Sequence, residues 1–243
     1  MNGKNIPKDN KSFTLRIGLG LVAWISPAVI VIALGVYLLS PGLIYGFLGL
    51  TPFSEHRASS IDLQLRMEGM IPESSVLLFG DSIGSSVFTG ALSSRTVNFS
   101  LPGETSARLL SRLHEYRSLA SARVIVIEVG INDILEGEER ETVGNFKNLF
   151  NLIPESTEII VCAVLPFDST VNTRVTKKQV GELNSALNSL CSSDSRCRFY
   201  NSVPSLTISS GDLNPAAHIG DGIHLNQMGL GIWSSGLSKM LGH

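Results

Sequence analysis

Five short apolar runs, separated by stretches of helical periodicity, constrain this chain more than any other feature of its sequence. Residues 76–79, 97–99, 124–129, 159–164 and 198–200 read as strands, and the third and fourth are continuous enough for a sheet covered on both faces. Between them Leu109, Leu110, Leu113, Tyr116 and Ala120 recur at helical spacing. So do Val143, Phe146, Leu149 and Phe150, then Val180, Leu183, Leu187 and Leu190, and a last helix is expected over about residues 227–241. Strict alternation implies right-handed βαβ crossovers, hence an α/β fold: a five-stranded parallel sheet in a three-layer α/β/α sandwich. The site of such a fold belongs at the C-terminal ends of its strands.

A second feature precedes this domain. Residues 17–54 contain no Asp, Glu, Lys, Arg or His, which lifts the mean hydropathy of the 243-residue chain to +0.22. Residues 17–40 would make about 36 Å of helix, enough for one transmembrane span across a hydrocarbon core of about 30 Å. Pro41-Gly42 interrupts the pattern, and residues 43–53 are too short for a second crossing, so they read as interfacial or re-entrant. A cleaved signal peptide is the alternative. The apolar run is about twice the length of a signal h-region and no Ala-x-Ala site closes it, so an uncleaved anchor is the expectation. Lys4, Lys8, Lys11 and Arg16 against the single acid Asp9 keep the N-terminus cytoplasmic by the positive-inside rule. The expected layout is therefore a cytoplasmic segment 1–16, an anchor 17–40, an interfacial segment and polar linker 41–72, and an extracytoplasmic domain 73–243.

Charge narrows the partners. The first 54 residues carry a net +3, so with −2 overall the remainder stands at −5, and nothing suggests nucleic acid. Cys191 and Cys197 flank a short Ser/Asp loop; an oxidising compartment favours a local disulfide over two free thiols. Cys162, inside an apolar run, reads as a buried small hydrophobe.

The chemistry concentrates at two places. Gly80-Asp81-Ser82 closes the first strand, putting a serine hydroxyl beside unpaired backbone N–H groups that can hold the charge of an acyl-transfer intermediate. Asp221-Gly222-Ile223-His224 supplies what serine lacks, a base and a carboxylate to orient it. Residues 80–84 also satisfy G-x-S-x-G, the nucleophile elbow of α/β-hydrolases. Position argues against that fold: such an elbow follows several strands, and its acid and histidine come from different loops. Asp81 and Asp133 read as turn anchors or helix caps. His218 competes with His224 but lacks an acid three residues before it. The acidic residues Glu136, Glu138, Glu139 and Glu141 read as a solvated helix start rather than a cation site, and no metal or cofactor is expected.

The arrangement resembles the SGNH or GDSL hydrolase family, whose sheet is flavodoxin-like, and four sequence blocks occur in the family's order. Gly80-Asp81-Ser82 implies Ser82 as nucleophile, its N–H in the oxyanion hole. Residues 98–103, Asn-Phe-Ser-Leu-Pro-Gly, imply Gly103 N–H as a second donor. Residues 130–133, Gly-Ile-Asn-Asp, imply the Asn132 amide as a third. Residues 221–226, Asp-Gly-Ile-His-Leu-Asn, imply His224 as base and Asp221 as its acid. The resemblance spans about residues 75–240. It implies a membrane-anchored serine esterase acting on ester-bearing carbohydrate or lipid through an acyl-serine. The mildly acidic domain and the absence of a long apolar lid insertion incline the expectation toward carbohydrate deacetylation. An O-acyltransferase of envelope polysaccharide would use the same triad; a lysophospholipase or thioesterase, or a catalytically silent binding protein, are further alternatives. Nothing in the sequence fixes an oligomeric state.

Overall fold

The computed structural model describes residues 52–242. The segments expected as cytoplasmic, as anchor (17–40) and, up to residue 51, as interfacial lie outside them. Among the described residues, no helix is long and apolar enough to cross a membrane. The chain divides into units 1–59 and 60–243, and of the first only residues 52–59 are described. These begin helix α1 (Pro52–Met67). Later in α1, and just after it, Gln64 accepts a hydrogen bond from Tyr116 Oη at 2.6 Å and Glu68 from Ser118 N–H at 2.7 Å, so residues 60–72 are tied to the domain.

The sheet has five strands, β1 (Val76–Gly80), β2 (Thr96–Asn98), β3 (Val124–Glu128), β4 (Glu158–Cys162) and β5 (Cys197–Tyr200), in the order β2-β1-β3-β4-β5. Every pairing is parallel; Val76 to Gly80 of β1 lie opposite Val124 to Glu128 of β3. Both central strands are buried along their whole length, as expected for a sheet covered on two sides. Successive side chains still alternate. Leu77, Phe79, Ile125, Ile127, Ile159 and Val161 pack on one face with α3 (Ser106–Leu113), α5 (Glu139–Leu152) and α6 (Lys177–Ser192). Val76, Leu78, Val124, Val126, Ile160 and Cys162 pack on the other with Trp233 and Leu237 of α8 (Gln227–Met240). Cys162 is a buried free thiol.

Three local expectations change. The periodicity from Leu109 to Ala120 breaks in two: α3 stops at Leu113 and a 3₁₀ turn covers Arg117–Ser121. The acidic run is also divided. Glu136 ends α4 (Ile131–Glu136), whereas Glu138 immediately precedes α5 and Glu139 and Glu141 lie in its first turn. Strand β4 ends at Cys162, two residues before the apolar run does. Between β1 and β2 lies the one-turn helix α2 (Ser82–Ser85), and α7 (Val203–Leu206) follows β5.

Cys191 at the end of α6 and Cys197 at the start of β5 are disulfide-bonded across six positions. Closing so short a loop is worth about 2 kcal/mol by chain entropy. Replacing both cysteines with serine is expected to lower the urea-unfolding free energy by about that amount. An unchanged unfolding midpoint would show that the bond does not stabilise the fold.

Candidate active site

The strand order makes β1 and β3 the point where the chain runs outward in both directions, and a crevice opens at their C-terminal ends. Ser82 follows β1 directly and Asn132 lies in the first turn of α4, just after β3. The loop before α8 brings in Asp221 and His224.

Ser82 Oγ lies 2.9 Å from His224 Nε2, and His224 Nδ1 lies 2.5 Å from Asp221 Oδ2. The other carboxylate oxygen, Oδ1, accepts the N–H groups of Ile223 at 3.0 Å and His224 at 2.9 Å. Burial pushes the Asp221 carboxyl upward, but these N–H bonds and the imidazole outweigh it and hold the group below its usual range. An acid so held stays ionised and accepts a hydrogen bond from His224 Nδ1–H, which leaves Nε2 free to accept from serine. The side chains of His224 and Asp221 are 43% and 41% exposed, so the relay opens directly to solvent.

The Ser82 turn is braced from below by Glu128, at the end of β3. Its Oε2 accepts the N–H of Asp81 at 3.2 Å and of Gly84 at 2.9 Å. A side chain at either glycine of the motif would collide with this brace: a Cβ at Gly84 would lie 2.6 Å from Ser100 Oγ and 2.9 Å from Glu128 Oε2. At Gly80 the two distances are reversed in order, 2.6 Å to Glu128 and 2.9 Å to Ser100. The G-x-S-x-G spacing is thus met for packing around Glu128, in a fold with no α/β-hydrolase topology. Asp81 caps α2, its Oδ1 accepting Ile83 N–H at 2.9 Å.

Two further candidate oxyanion donors lie after β2, at Gly103, and in the first turn of α4, at Asn132. Gly103 adopts φ 68°, and its carbonyl accepts a 2.9 Å hydrogen bond from Arg108, which also forms a two-pronged ion pair with Glu136. Asn132 Nδ2 donates to Glu104 O at 3.0 Å, leaving its second N–H for another acceptor. Glu104 is held in turn by Arg112 at 2.8 Å, both side chains being buried. Asp133, expected as an anchor, accepts from Ser106 N–H and Oγ at the start of α3 and from Thr142 of α5, joining three helices behind Asn132.

His218 does not join the relay. Its Nε2 lies 3.3 Å from Asp168 Oδ2, in a buried pair. Among the described residues, no group of three or more His, Cys, Asp or Glu is placed to hold a metal ion.

Sequence reasoning missed Glu128, Glu104 and Arg112. Glu128 left a signal, since it is the lone charge in the run 124–129, and a charge in a strand buried on both faces must have a partner. Burial pushes Asp81 up to about 7, and it pushes Glu128 well above the usual carboxylate range, with the Asp81 charge adding to it. Both carboxyls hold protons more tightly when folded: the contribution of Asp81 to stability is complete below about pH 4 and is lost as pH rises through about 7, and that of Glu128 is likewise lost as pH rises. Asp194 and Asp212, held low by Arg196 and Lys177 respectively, act with the opposite sign but only at more acidic pH. The urea midpoint is therefore expected to fall between pH 5 and 8, with a shallower fall in Glu128→Gln. Equal slopes in the two proteins would refute this origin.

A model of the GDSL-like lipase/acylhydrolase family matches residues 78–230. No curated protein matches the chain. Among solved structures, a Streptococcus pneumoniae protein provisionally described as a platelet activating factor superposes with a TM-score of 0.72 at 22% identity, covering 86% of this chain and 99% of that one. A GDSL-like lipase of Bacteroides thetaiotaomicron gives 0.66 at 18% identity, covering 75% and 97%. Axe2, an acetylxylan esterase of Geobacillus stearothermophilus, gives 0.57 at 18%, covering 71% and 96%. At these identities the superpositions show a shared fold.

Proposed function

Because this chain belongs to the GDSL-like lipase/acylhydrolase family and is an ester hydrolase, we propose that it removes short acyl groups, foremost O-acetyl, from carbohydrate, with Ser82, His224 and Asp221 as its catalytic triad. The observation that carries this reading is the continuous hydrogen-bonded chain from Ser82 Oγ through His224 to Asp221. In the first step Ser82 Oγ attacks the ester carbonyl carbon while His224 Nε2 takes the hydroxyl proton. The carbonyl oxygen becomes an oxyanion, received by the N–H groups of Ser82 and Gly103 and the free N–H of Asn132. The carbon–oxygen bond to the sugar then breaks as His224 returns the proton to the departing alcohol. Water repeats the sequence on the acyl-serine, releasing the acid.

The half-exposed relay suits an ester carried on a bulky acceptor, and a similar fold serves the acetylxylan esterase. Residues 17–40 would anchor the enzyme in a membrane with residues 55 onward outside the cytoplasm, and the Cys191–Cys197 disulfide fits an oxidising compartment. A reporter fused after His243 should then be active only outside the cytoplasm; cytoplasmic activity would refute that orientation.

The substrate reading is tested with a panel of acetylated oligosaccharides, acyl esters of increasing chain length and a lysophospholipid. Preferred release of acetate from oligosaccharide supports it. Preference for long acyl chains refutes it, and transfer of acetyl to a glycan faster than acetate release would make the enzyme an O-acyltransferase.

A further inference from the structure

A second histidine–aspartate pair, His218 with Asp168, is bonded to the loop that carries Asp221. His218 and Asp168 are both buried and belong to different segments, the loop that carries Asp221 and the loop that follows β4. The ring nitrogens of His218 have distinct partners. Nδ1 faces two backbone donors, Gly220 N–H at 3.0 Å and Gly222 N–H at 3.2 Å, whereas Nε2 faces Asp168 Oδ2 at 3.3 Å. A nitrogen that accepts cannot also carry a proton, so the ring is the neutral tautomer with its proton on Nε2, donated to Asp168.

The two glycines flank Asp221, and both have positive φ, 106° and 76°. Their N–H groups therefore point inward from a turn that has no helix or strand to hold it. Asp168 closes the same turn from the other side, its own N–H donating to Gly222 O at 2.9 Å. Ile219 N–H donates to His224 O at 3.0 Å, and Asn226 Nδ2 to His218 O at 3.1 Å, so the ring sits inside the loop that presents both Asp221 and His224.

We propose that His218 is a positioning residue for the triad: as a neutral Nε2–H imidazole it latches the Gly220 and Gly222 amides and so aims the Asp221 carboxylate at His224, and its protonation opens that latch. A proton taken from solvent onto Nδ1 would set a third N–H donor against two others with no acceptor between them. The ring must then leave the amides, and Asp221 loses the turn that orients it. The charged groups around the ring do not replace those bonds. Asp168 is already the partner of Nε2, and Thr170 engages its other oxygen. Asp221 is turned toward Ile223, His224 N–H and the His224 ring. Asp212, next to the Asp168 loop, is held by Lys177, Ser169 and Ser210. Helix α8, packed on Pro215–Ala217, carries a single charged residue, Lys239, in its last turn.

The proposal rests on the triad reading of Ser82, Asp221 and His224, and its tests separate the two. Long-range ¹H–¹⁵N spectra of the native protein at pH 8 should show His218 with the proton on Nε2; a proton on Nδ1 overturns the latch, whatever the catalytic role of Ser82. His218→Asn keeps an oxygen acceptor near the Nδ1 position but takes up no proton. It should retain most of the native kcat/KM at pH 8, whereas His218→Phe, with no acceptor, should lose about 100-fold in kcat with KM nearly unchanged. On the acid limb, log kcat against pH should fall more steeply in the native enzyme than in His218→Asn, whose side chain takes up no proton. Equal slopes in the two proteins overturn the pH switch. Should His218→Phe not fold, the tautomer and the two slopes decide.

Discussion

Ser82→Ala is expected to lower kcat on p-nitrophenyl acetate by about 10⁴- to 10⁶-fold and to abolish labelling by a fluorophosphonate probe, with KM and the thermal midpoint nearly unchanged. The magnitude follows from the chemistry proposed for the relay. Without Oγ there is no acyl intermediate, and what remains is water attack assisted by the oxyanion donors. His224→Ala should cost about as much, and the double variant hardly more than either single one, because a nucleophile and its base act as one unit. Asp221→Asn should cost about 10⁴-fold, since an amide that donates its own N–H to Nδ1 favours the wrong tautomer of His224. These variants should fold normally, because the relay is at the surface and half-exposed. Residual activity within about tenfold of the native enzyme in Ser82→Ala would remove Ser82 as nucleophile.

The largest stability effect is expected at a position with no chemistry. Arg112 is buried against Glu104 at 2.8 Å, donates to Phe99 O at 2.8 Å and to Tyr116 Oη at 2.5 Å, and lies over the rings of Phe79 and Tyr116. Arg112→Met keeps most of the volume but leaves the Glu104 carboxylate buried without its cation, at a cost of about 3–5 kcal/mol. For a domain of this size that corresponds to a fall in thermal midpoint of about 10–15 °C. Adding Glu104→Leu should recover much of the loss, because the penalty belongs to a buried carboxylate that has lost its guanidinium and not to the missing arginine. A fall of less than about 1 kcal/mol in the single variant would show that the buried pair does not hold the loop. Activity should respond as well. Glu104 follows Gly103, and its carbonyl accepts from Asn132, so both Gly103 and Asn132, two of the donors proposed for the oxyanion, are coupled to the position of Glu104.

The buried polar groups at this end of the sheet share a logic. Glu128 braces the turn of Ser82, Arg112 and Glu104 the loop of Gly103, Asp133 the start of α3 behind Asn132, and His218 with Asp168 the loop of Asp221. Each loop of an α/β sheet leaves the strands with unpaired backbone groups, and buried polar side chains satisfy them while fixing the loop's position.

The sequence by itself determined the layered fold, because strand and helix periodicities are local and parallel strand direction follows from their alternation. It also marked Ser82, Asp221 and His224 by their chemistry, and the resemblance of four short blocks to a known family added Gly103 and Asn132. Only the tertiary structure decided how these parts meet. Ser82 and His224 lie 142 positions apart, and no local pattern specifies a distance between them. Nor could periodicity show that Arg112 is buried and Arg108 half-exposed, or that Glu128 reaches the N–H of Gly84: a polar residue reveals its burial only through the partner that the fold brings to it. His218 carried the same ambiguity. In sequence it looked like a rival to His224; in the structure its two ring nitrogens have different partners, and those partners assign it a different role.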